Sequence, residues 1–235
     1  MTARETAFVR EVSHALRSPL ATVESCLQVV LDGYAPAPEK QREMLERAQR
    51  KATALLRMVK DLQDLSGMEN RGRSRRKSAL DLGAAVGKTL ESFRAKAAEI
   101  GVTLESDVQE GMPPIRMDAY DLETLLARIV DNAVKYSRPG GLVRIGASFS
   151  RGEHQIVVAD TGIGIEPEAL KKVFEEFFRS EGARAFTDEG AGLGLSIVRR
   201  IVDDCGGGID VESQLGEGSL FRVHLPEQVQ GGCHA

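Results

Sequence analysis

The chain has 235 residues, of which 42% are hydrophobic and 28% are charged, and its formal net charge is −4. This length allows one or two domains, and the apolar content is ordinary for a globular protein. No apolar run approaches the roughly 18 residues that a bilayer-crossing helix needs, and no signal-peptide pattern opens the chain. We therefore expect no membrane segment in this sequence.

The cysteines and the distribution of charge bear on location and organisation. Cys26, Cys205 and Cys233 are an odd, widely spaced set without metal-ligand spacing, which suits a reducing compartment, so we expect a cytoplasmic protein. Residues 1–80 hold 15 basic and 10 acidic side chains, whereas residues 81–235 hold 16 basic and 25 acidic ones. A basic front and an acidic back predict two units.

The front of the chain has the apolar spacing of two packed helices. Apolar residues recur every seven positions at Val9, Leu16, Val23 and Val30, and a second stretch interleaves two such series at Leu45, Ala52, Val59 and at Ala48, Leu55, Leu62. This spacing is typical of helical bundles, and one Gly and two Pro within residues 32–40 turn the chain back. Because two helices cannot bury a two-sided seam alone, we expect an antiparallel helical hairpin that dimerises into a four-helix bundle. The alternative is a lone coiled-coil linker.

His14 is the most informative residue of the first helix. In the heptad register that starts at Val9, it falls at position f, which faces away from the seam. Pro19 follows five residues later, inside a helix that it should kink by removing a backbone hydrogen bond. A solvated surface histidine is the plain alternative, but an exposed imidazole beside a tolerated proline favours a histidine that meets a partner.

Residues 67–80 interrupt the helical periodicity with a basic run. The run consists of Arg71, Arg73, Arg75, Arg76 and Lys77, without the aromatic residues or amphipathic helix of a binding patch. We therefore expect a mobile linker, and neither nucleic acid nor a membrane as a partner. The expected organisation is a helical domain at 1–66, a linker at 67–80, a second domain at 81–227 and a disordered tail at 228–235.

Beyond the linker, helix-like and strand-like stretches alternate. We predict helices at 82–99, from an N-cap at Asp118 to about 136, and at about 193–203. Strands are predicted at 102–108, 142–149 and 155–160, with a closing hairpin of 209–212 and 220–225. Helices mixed with hairpin-connected strands predict a two-layer α+β sandwich rather than a doubly wound sheet.

Polar residues at the joints of these elements point to a bound nucleotide. Asn132 lies near a helix end, and its neutral carboxamide oxygen suits Mg²⁺, which bridges phosphate oxygens while the nearby Lys135 screens the remaining charge. Asp160 ends a strand, where a buried carboxylate can accept from an adenine amino group. Gly162 and Gly164 let the backbone approach a flat ligand without a Cβ clash.

A second glycine block precedes the helix predicted at about 193. Gly190, Gly192 and Gly194 leave free N–H groups to face phosphates, and the intervening Leu193 and Leu195 belong to the same predicted nucleotide-binding segment. The polar, aperiodic stretch 179–189 is then expected to be a lid that orders on the nucleotide. A dinucleotide-binding loop fits less well, because no buried strand precedes the glycines and no acidic residue ends a second strand.

Taken together, the sequence resembles the transmitter core of two-component sensor histidine kinases over nearly its whole length. HALRSPL (14–20) resembles the H-box, DNAVKYS (131–137) the N-box, DTGIGI (160–165) the G1 box, VFEEFFR (173–179) the F-box, GAGLGLS (190–196) the G2 box and GEGSLF (216–221) the G3 box. The resemblance implies a dimerisation and phosphotransfer domain followed by a catalytic ATP-binding domain of the Bergerat type, an α/β two-layer sandwich.

The resemblance also implies roles for single residues. His14 is the implied phosphoacceptor, and Asn132 is the implied Mg²⁺ ligand. Nucleotide contacts are implied for Lys135, Tyr136, Asp160, Arg179, Gly192 and Gly194, with Arg179 at the lid or the phosphates.

Two positions depart from the family's pattern. Ala15 stands where the family usually has an acidic general base, a function that Glu11, one turn earlier, could take over. That acid usually also serves in phosphatase activity together with the side chain at position 18, here Ser18. Because general-base assistance contributes about 10²–10⁴-fold, we expect slow or assisted autophosphorylation. Arg128 replaces the first N-box asparagine, and it either weakens Mg²⁺ coordination or supplies a cation to the phosphates.

The expected function is that of an ATP-dependent protein histidine kinase in two-component signal transduction. The γ-phosphoryl group of Mg²⁺-bound ATP passes to His14 and then to an aspartate in the receiver domain of a response regulator. The nearest alternative is a nucleotide-binding scaffold with little autophosphorylation, because of Ala15 and Arg128. A gyrase-like ATPase and a pure oligomerisation module are weaker alternatives, since the H-box opposes the first and the glycine blocks oppose the second.

Overall fold

The computed structural model describes residues 3–70 and 77–227, with side chains for 8–65 and 77–227. Two long helices open the chain, α1 at Ala3–Leu31 and α2 at Pro38–Asn70, and they pack against each other as the predicted hairpin. α1 continues through Pro19. Within the described ranges, no helix combines the length and the apolar content that a bilayer crossing requires. The expected tail at 228–235 lies outside the described residues.

The hairpin leaves part of its apolar seam open to solvent. Large apolar side chains with exposed fractions between 41% and 72% lie on both helices, namely Val9, Leu20 and Leu27 on α1 and Leu45, Leu56 and Val59 on α2. A water-exposed row of this kind is unfavourable for an isolated hairpin. It is the second side of the seam that the heptad pattern predicts, and dimerisation remains the prediction for what covers it.

The segment between the two halves is shorter in the structure than the predicted linker at 67–80. α2 runs on to Asn70, and Ser78–Leu80 already forms strand β1. Near the end of the predicted helical domain, Leu65 is buried in the core of the second half, and Leu62 packs against that core. Arg71, Arg73, Arg75 and Arg76 lie outside the described residues.

The second half alternates helices and strands much as predicted. Its elements up to the lid are α3 at Leu82–Glu99, β2 at Thr103–Val108, β3 at Ile115–Met117, α4 at Ala119–Lys135, β4 at Leu142–Ser150 and β5 at Glu153–Asp160. Asp118 caps α4 as predicted, since its carboxylate accepts from the N–H of Tyr120 at 2.9 Å. β1 and β3 pair as a short antiparallel ribbon that the sequence did not reveal, because three-residue strands carry too little periodicity.

The remaining elements form the lid region and close the sheet. They are α5 at Pro167–Leu170, α6 at Glu181–Phe186, α7 at Gly194–Asp204, β6 at Gly208–Gln214 and β7 at Gly218–Pro226. The sheet order is β2-β4-β5-β7-β6, with β2 parallel to β4 and every other pair antiparallel. α3, α4 and α7 pack on this sheet over a shared apolar core, which confirms the predicted two-layer sandwich.

The β4–β5 hairpin has a tighter turn than expected. Arg151 and Gly152 have φ angles of 54° and 78°, the backbone of a two-residue type I′ turn, which matches the twist of paired strands. The strands therefore extend to Ser150 and Glu153, beyond the predicted ends at 149 and 155.

His154, the second residue of β5, gives the fold a testable pH dependence. Its side chain is fully buried, its ring centroid lies 4.8 Å from that of Phe149, and neither ring nitrogen has a hydrogen-bond partner in the described part of the chain. Burial lowers the pKa of His154 below 6.5. As the pH falls through about 6.5, the unfolded chain gains a proton at this position that the folded chain does not, so stability declines.

We expect His154→Leu to remove this part of the pH dependence between pH 7.5 and 5. The measurement is the urea midpoint across that range, compared with the wild type and with His224→Gln as a control at a partly exposed histidine. Equal pH slopes for the wild type and His154→Leu would contradict the assignment.

Candidate functional site

An open cavity of about 980 Å³, its mouth included, lies at the joints where the sequence analysis placed a nucleotide. Eleven of the twelve predicted nucleotide-binding residues line it, namely Asn132, Lys135, Tyr136, Asp160, Gly164, Arg179, Gly190, Gly192, Leu193, Gly194 and Leu195. The twelfth, Gly162, lies beside it and donates its N–H to Asp160 at 2.9 Å. One open space therefore collects the residues of all the predicted nucleotide-binding segments.

Asp160 provides a partly buried carboxylate in the wall of this cavity. It is the last residue of β5, opposite Ser219 on β7. Burial raises the pKa of Asp160 to about 6, although hydrogen bonds from the backbone of Gly162 and Ser219 oppose the increase. The group is therefore largely ionised at neutral pH and can accept a hydrogen bond from a donor on a ligand.

Two glycines beside the cavity occupy positions where a side chain would collide with backbone. A Cβ at Gly162 would lie 2.4 Å from the carbonyl oxygen of Tyr136. Gly192 has a φ of 76°, and a Cβ there would lie 2.6 Å from the carbonyl oxygen of Phe178. Both loops thus pack backbone against backbone, which fixes the cavity walls.

The N-terminus of α7 forms another part of the cavity wall. α7 begins at Gly194, and its N-cap residue Leu193 makes no side-chain cap, so the first backbone N–H groups remain available for an anion. A Cβ at Gly194 would lie 3.9 Å from Nδ2 of Asn132 and 4.0 Å from Cδ of Arg128. The amide of Asn132 and the stem of Arg128 therefore flank this helix end, which suits phosphates.

The segment predicted as a lid contains the short helix α6, which is too brief to show a helical period. Ser180 caps it by accepting from the N–H of Ala183 at 3.2 Å, and Glu166 accepts from the N–H of Gly182 at 3.0 Å. Arg179 donates to the carbonyl oxygens of Ala183, Thr187 and Gly190. The guanidinium of Arg179 thus holds the lid together from within.

The lid also contacts helix α2. Lys51 forms an ion pair with Asp188, which lowers the pKa of that carboxyl, and Arg57 lies 3.9 Å from Glu189. The lid also approaches Tyr136 in the cavity wall, because the ring centroids of Phe186 and Tyr136 are 6.5 Å apart. The Nζ atom of Lys135 lies 4.3 Å from the centroid of the same Tyr136 ring.

A second cavity adjoins the first and reaches helix α1. Its lining includes Ala15, Ser18, Pro19 and Thr22 of α1, a stretch of α2, and Arg128, Asp131, Lys135, Arg179 and Gly190 from the first cavity. His14 is exposed next to this face, and Glu11 is exposed one turn earlier on α1. The structure therefore brings Ser18 to the shared space, whereas His14, the residue before Ala15, is not among the lining residues.

Arg128 is the main site residue whose environment the sequence did not reveal. Its guanidinium lies 2.5 Å from Asp61 and 3.1 Å from Asp64, both buried on α2, and the hydroxyl of Tyr120 donates to Asp64 at 2.6 Å. The spacing of Arg128 from Asn132, one turn along α4, signals a shared face. No local signal could have found Asp61 and Asp64, because they are brought here by packing between the two halves.

The donor set at the phosphate end fits a metal ion that arrives with its ligand. Asn132 offers one neutral oxygen, while Asp131 is bound to Lys96 at 2.6 Å. Among the described residues, no group of three or more acidic, histidine or cysteine side chains could hold a metal ion. Mg²⁺ commonly takes one or two protein ligands and obtains the others from phosphates and water, so the residues present are sufficient.

Comparisons with known proteins agree with this architecture. Residues 4–71 match the family described as "His Kinase A (phospho-acceptor) domain", and residues 117–229 match "Histidine kinase-, DNA gyrase B-, and HSP90-like ATPase". The chain is 31% identical over 223 residues to sensor protein SrrB of Staphylococcus aureus, covering 94% of this chain and 38% of SrrB. It thus spans about two fifths of the length of the curated relatives that it matches.

Solved structures show the same fold. The histidine kinase AdeS of Acinetobacter baumannii has a TM-score of 0.71 and 25% identity, covering 92% of this chain and 98% of AdeS. The histidine kinase ThkA, in complex with response regulator protein TrrA, has a TM-score of 0.75 and 20% identity over 96% of this chain and 62% of ThkA, which shows the fold alone. The chain belongs to the two-component sensor histidine kinases and contains the two domains of their transmitter core.

Proposed function

We propose that this chain binds ATP with Mg²⁺, transfers the γ-phosphoryl group to His14 and passes it on to an aspartate of a response regulator. The observation that carries the proposal is the pair of adjoining cavities, one built from the nucleotide-type motifs and the other reaching α1 beside His14. Positioning the two reactants and neutralising charge are the main contributions that a protein makes to phosphoryl transfer.

The site has a direction that fits ATP. Asp160 would accept a hydrogen bond from the adenine amino group, while Lys135 and the N-terminus of α7 would face the phosphates. Asn132 would hold Mg²⁺, which would neutralise phosphate charge. Arg179 keeps the lid folded over the nucleotide through its three carbonyl contacts.

The proposed assembly is a homodimer that meets a response regulator. The exposed apolar seam on α1 and α2 provides the surface on which a second copy completes a four-helix bundle. His14 lies on the outer face of α1, so the receiver domain is proposed to dock on the bundle there.

The test of this function is the label that the protein acquires from Mg²⁺ and γ-³²P-ATP. A histidine kinase yields an acid-labile, base-stable label that moves to a receiver domain. The rival function, a nucleotide-binding scaffold, is favoured by Ala15 and Arg128 and predicts ATP binding without label. Failure to bind ATP at all would contradict both.

Asp160→Asn is expected to weaken ATP binding and stabilise the fold at the same time. Hydrogen bonds to charged groups contribute about 1.5–3 kcal/mol, so the dissociation constant should rise by about tenfold or more. The pKa of this carboxyl is raised to about 6, so the folded chain retains its proton between about pH 4 and 6, where the unfolded chain has lost it. Stability therefore falls as the pH rises through that range, and the asparagine variant should have the higher urea midpoint at pH 7.5.

The same group predicts how nucleotide binding depends on pH. As the pH falls through about 6, protonation of Asp160 removes a charged acceptor, and ATP binds more weakly. Titrations from pH 7.5 to 5.5 should show this loss in the wild type and a flatter profile in Asp160→Asn. Parallel profiles, or a variant with a lower urea midpoint at pH 7.5, would contradict the role assigned to Asp160.

A further inference from the structure

Arg128 is shared between two parts of the molecule. It is on α4 of the ATP-binding half, yet its guanidinium pairs with two carboxylates of α2, Asp61 at 2.5 Å and Asp64 at 3.1 Å. The three side chains retain only 22%, 11% and 6% of their exposure respectively. Solvent screens the attraction between such charges less than on the surface, and removing one partner leaves the other charge buried and unpaired.

The same guanidinium group belongs to the phosphate end of the nucleotide cavity. Arg128 lines the cavity one helical turn from Asn132, and its Cδ lies 4.0 Å from where a Cβ would stand on Gly194, the first residue of α7. Phosphates that face the N-terminus of α7 therefore approach Arg128. They also approach Asp61, which lines the cavity, whereas Asp64 is not among its lining residues.

The charge of Arg128 links the nucleotide cavity to the carboxylates of α2. Two carboxylates on one guanidinium leave a local net charge of −1, which discourages a phosphate chain. Removing one carboxylate charge leaves more of the positive charge of Arg128 for the phosphates. Because thermodynamic linkage is reciprocal, a phosphate bound to Arg128 weakens the interaction of Arg128 with Asp61 and Asp64 by the same factor.

We propose that Arg128 is a phosphate-binding residue for which the nucleotide and the α2 carboxylates Asp61 and Asp64 compete. The inference rests on the proposed function, since it takes the ligand to be ATP. Arg128 would then bind phosphate through its positive charge, at a position where the family pattern has a neutral asparagine. It also makes nucleotide binding loosen the contact between the ATP-binding half and α2.

The test is a set of equilibrium titrations on the full chain, with EDTA present so that no metal carries the phosphates. ATP is the probe, and adenosine is the phosphate-free reference. The variants are Arg128→Asn, Asp64→Asn and the double variant, with Glu105→Gln as a control that removes a carboxylate from the exposed Arg144 pair on β2 and β4. Thermal melts establish that each variant is folded.

The two sides of the ion pair should respond with opposite signs. Arg128→Asn is expected to weaken ATP binding by about tenfold or more, and Asp64→Asn to tighten it by about threefold to tenfold. Adenosine affinity and the Glu105→Gln variant should stay at wild-type values. In the Arg128→Asn background the effect of Asp64→Asn should vanish, because it acts through the guanidinium.

Each other result overturns the proposal. Unchanged ATP affinity in Arg128→Asn means that Arg128 does not touch phosphate, and unchanged or weaker binding in Asp64→Asn means that there is no competition. An Asp64→Asn effect that persists without Arg128 reflects bulk charge. If Arg128→Asn does not fold, the change in ATP affinity of the isosteric Asp64→Asn variant decides: tighter binding supports the proposal, and unchanged or weaker binding contradicts it. A wild type that binds neither probe would instead contradict the proposed function.

Discussion

Replacing His14 with glutamine should abolish the acid-labile label from γ-³²P-ATP and leave ATP binding unchanged. Glutamine is similar in length and suits a helix, but its amide nitrogen is not a nucleophile. His14 is exposed on α1 and does not line the nucleotide cavity, so neither the fold nor the nucleotide site should respond. The measurements are filter-bound label after acid and base treatment, together with the dissociation constant for ATP.

The matched control is His224→Gln, which changes a partly exposed histidine on β7 of the ATP-binding half. It should retain the wild-type label. Label that persists on His14→Gln would place the phosphoacceptor elsewhere, and a weakened ATP affinity in that variant would show that the substitution acts on the nucleotide site instead.

Replacing Ala15 with glutamate should raise the rate of autophosphorylation by about 100-fold, the lower end of what general-base assistance supplies. Ala15 lines the cavity that adjoins the nucleotide site, so a carboxylate there reaches the space between His14 and the phosphates. It can accept the imidazole proton and orient the ring. The measurement is the initial rate of label incorporation at saturating Mg²⁺ and ATP.

Ala15→Gln separates the chemistry of the carboxylate from its size. It has nearly the same shape without a basic group, so it should stay close to the wild-type rate. Equal rates for Ala15→Glu and the wild type would mean that proton removal does not limit the reaction. Glu11→Gln is then the informative variant, since Glu11 is the acidic residue one turn earlier on α1.

The features that the sequence predicted correctly are those that depend on a pattern of neighbouring residues. The heptad series predicted the hairpin, Asp118 predicted the start of α4, and the strand-end glycines predicted the walls of a cavity that the structure forms. Each of these signals is written in consecutive residues, because a helix face, a cap or a close backbone approach is decided within a few positions.

The features that were missed depend on distant residues or on very short elements. Asp64 and Arg128 are 64 positions apart, and only packing of α2 against α4 brings them together. The lid helix α6 has six residues, and strands β1 and β3 have three each, too few for a period to appear.

The face that α1 turns toward the ATP-binding half has a mechanical consequence. That face carries Ala15, Ser18 and Thr22, and successive residues of an α-helix point about 100° apart. His14 is therefore about 100° around the helix from Ala15 but only about 40° from Ser18, at the edge of this face. We expect rotation of α1 about its own axis to control the rate of phosphoryl transfer. Rotation in one direction brings the imidazole of His14 towards the nucleotide cavity, and rotation in the other direction moves it away, while the affinity for ATP stays unchanged.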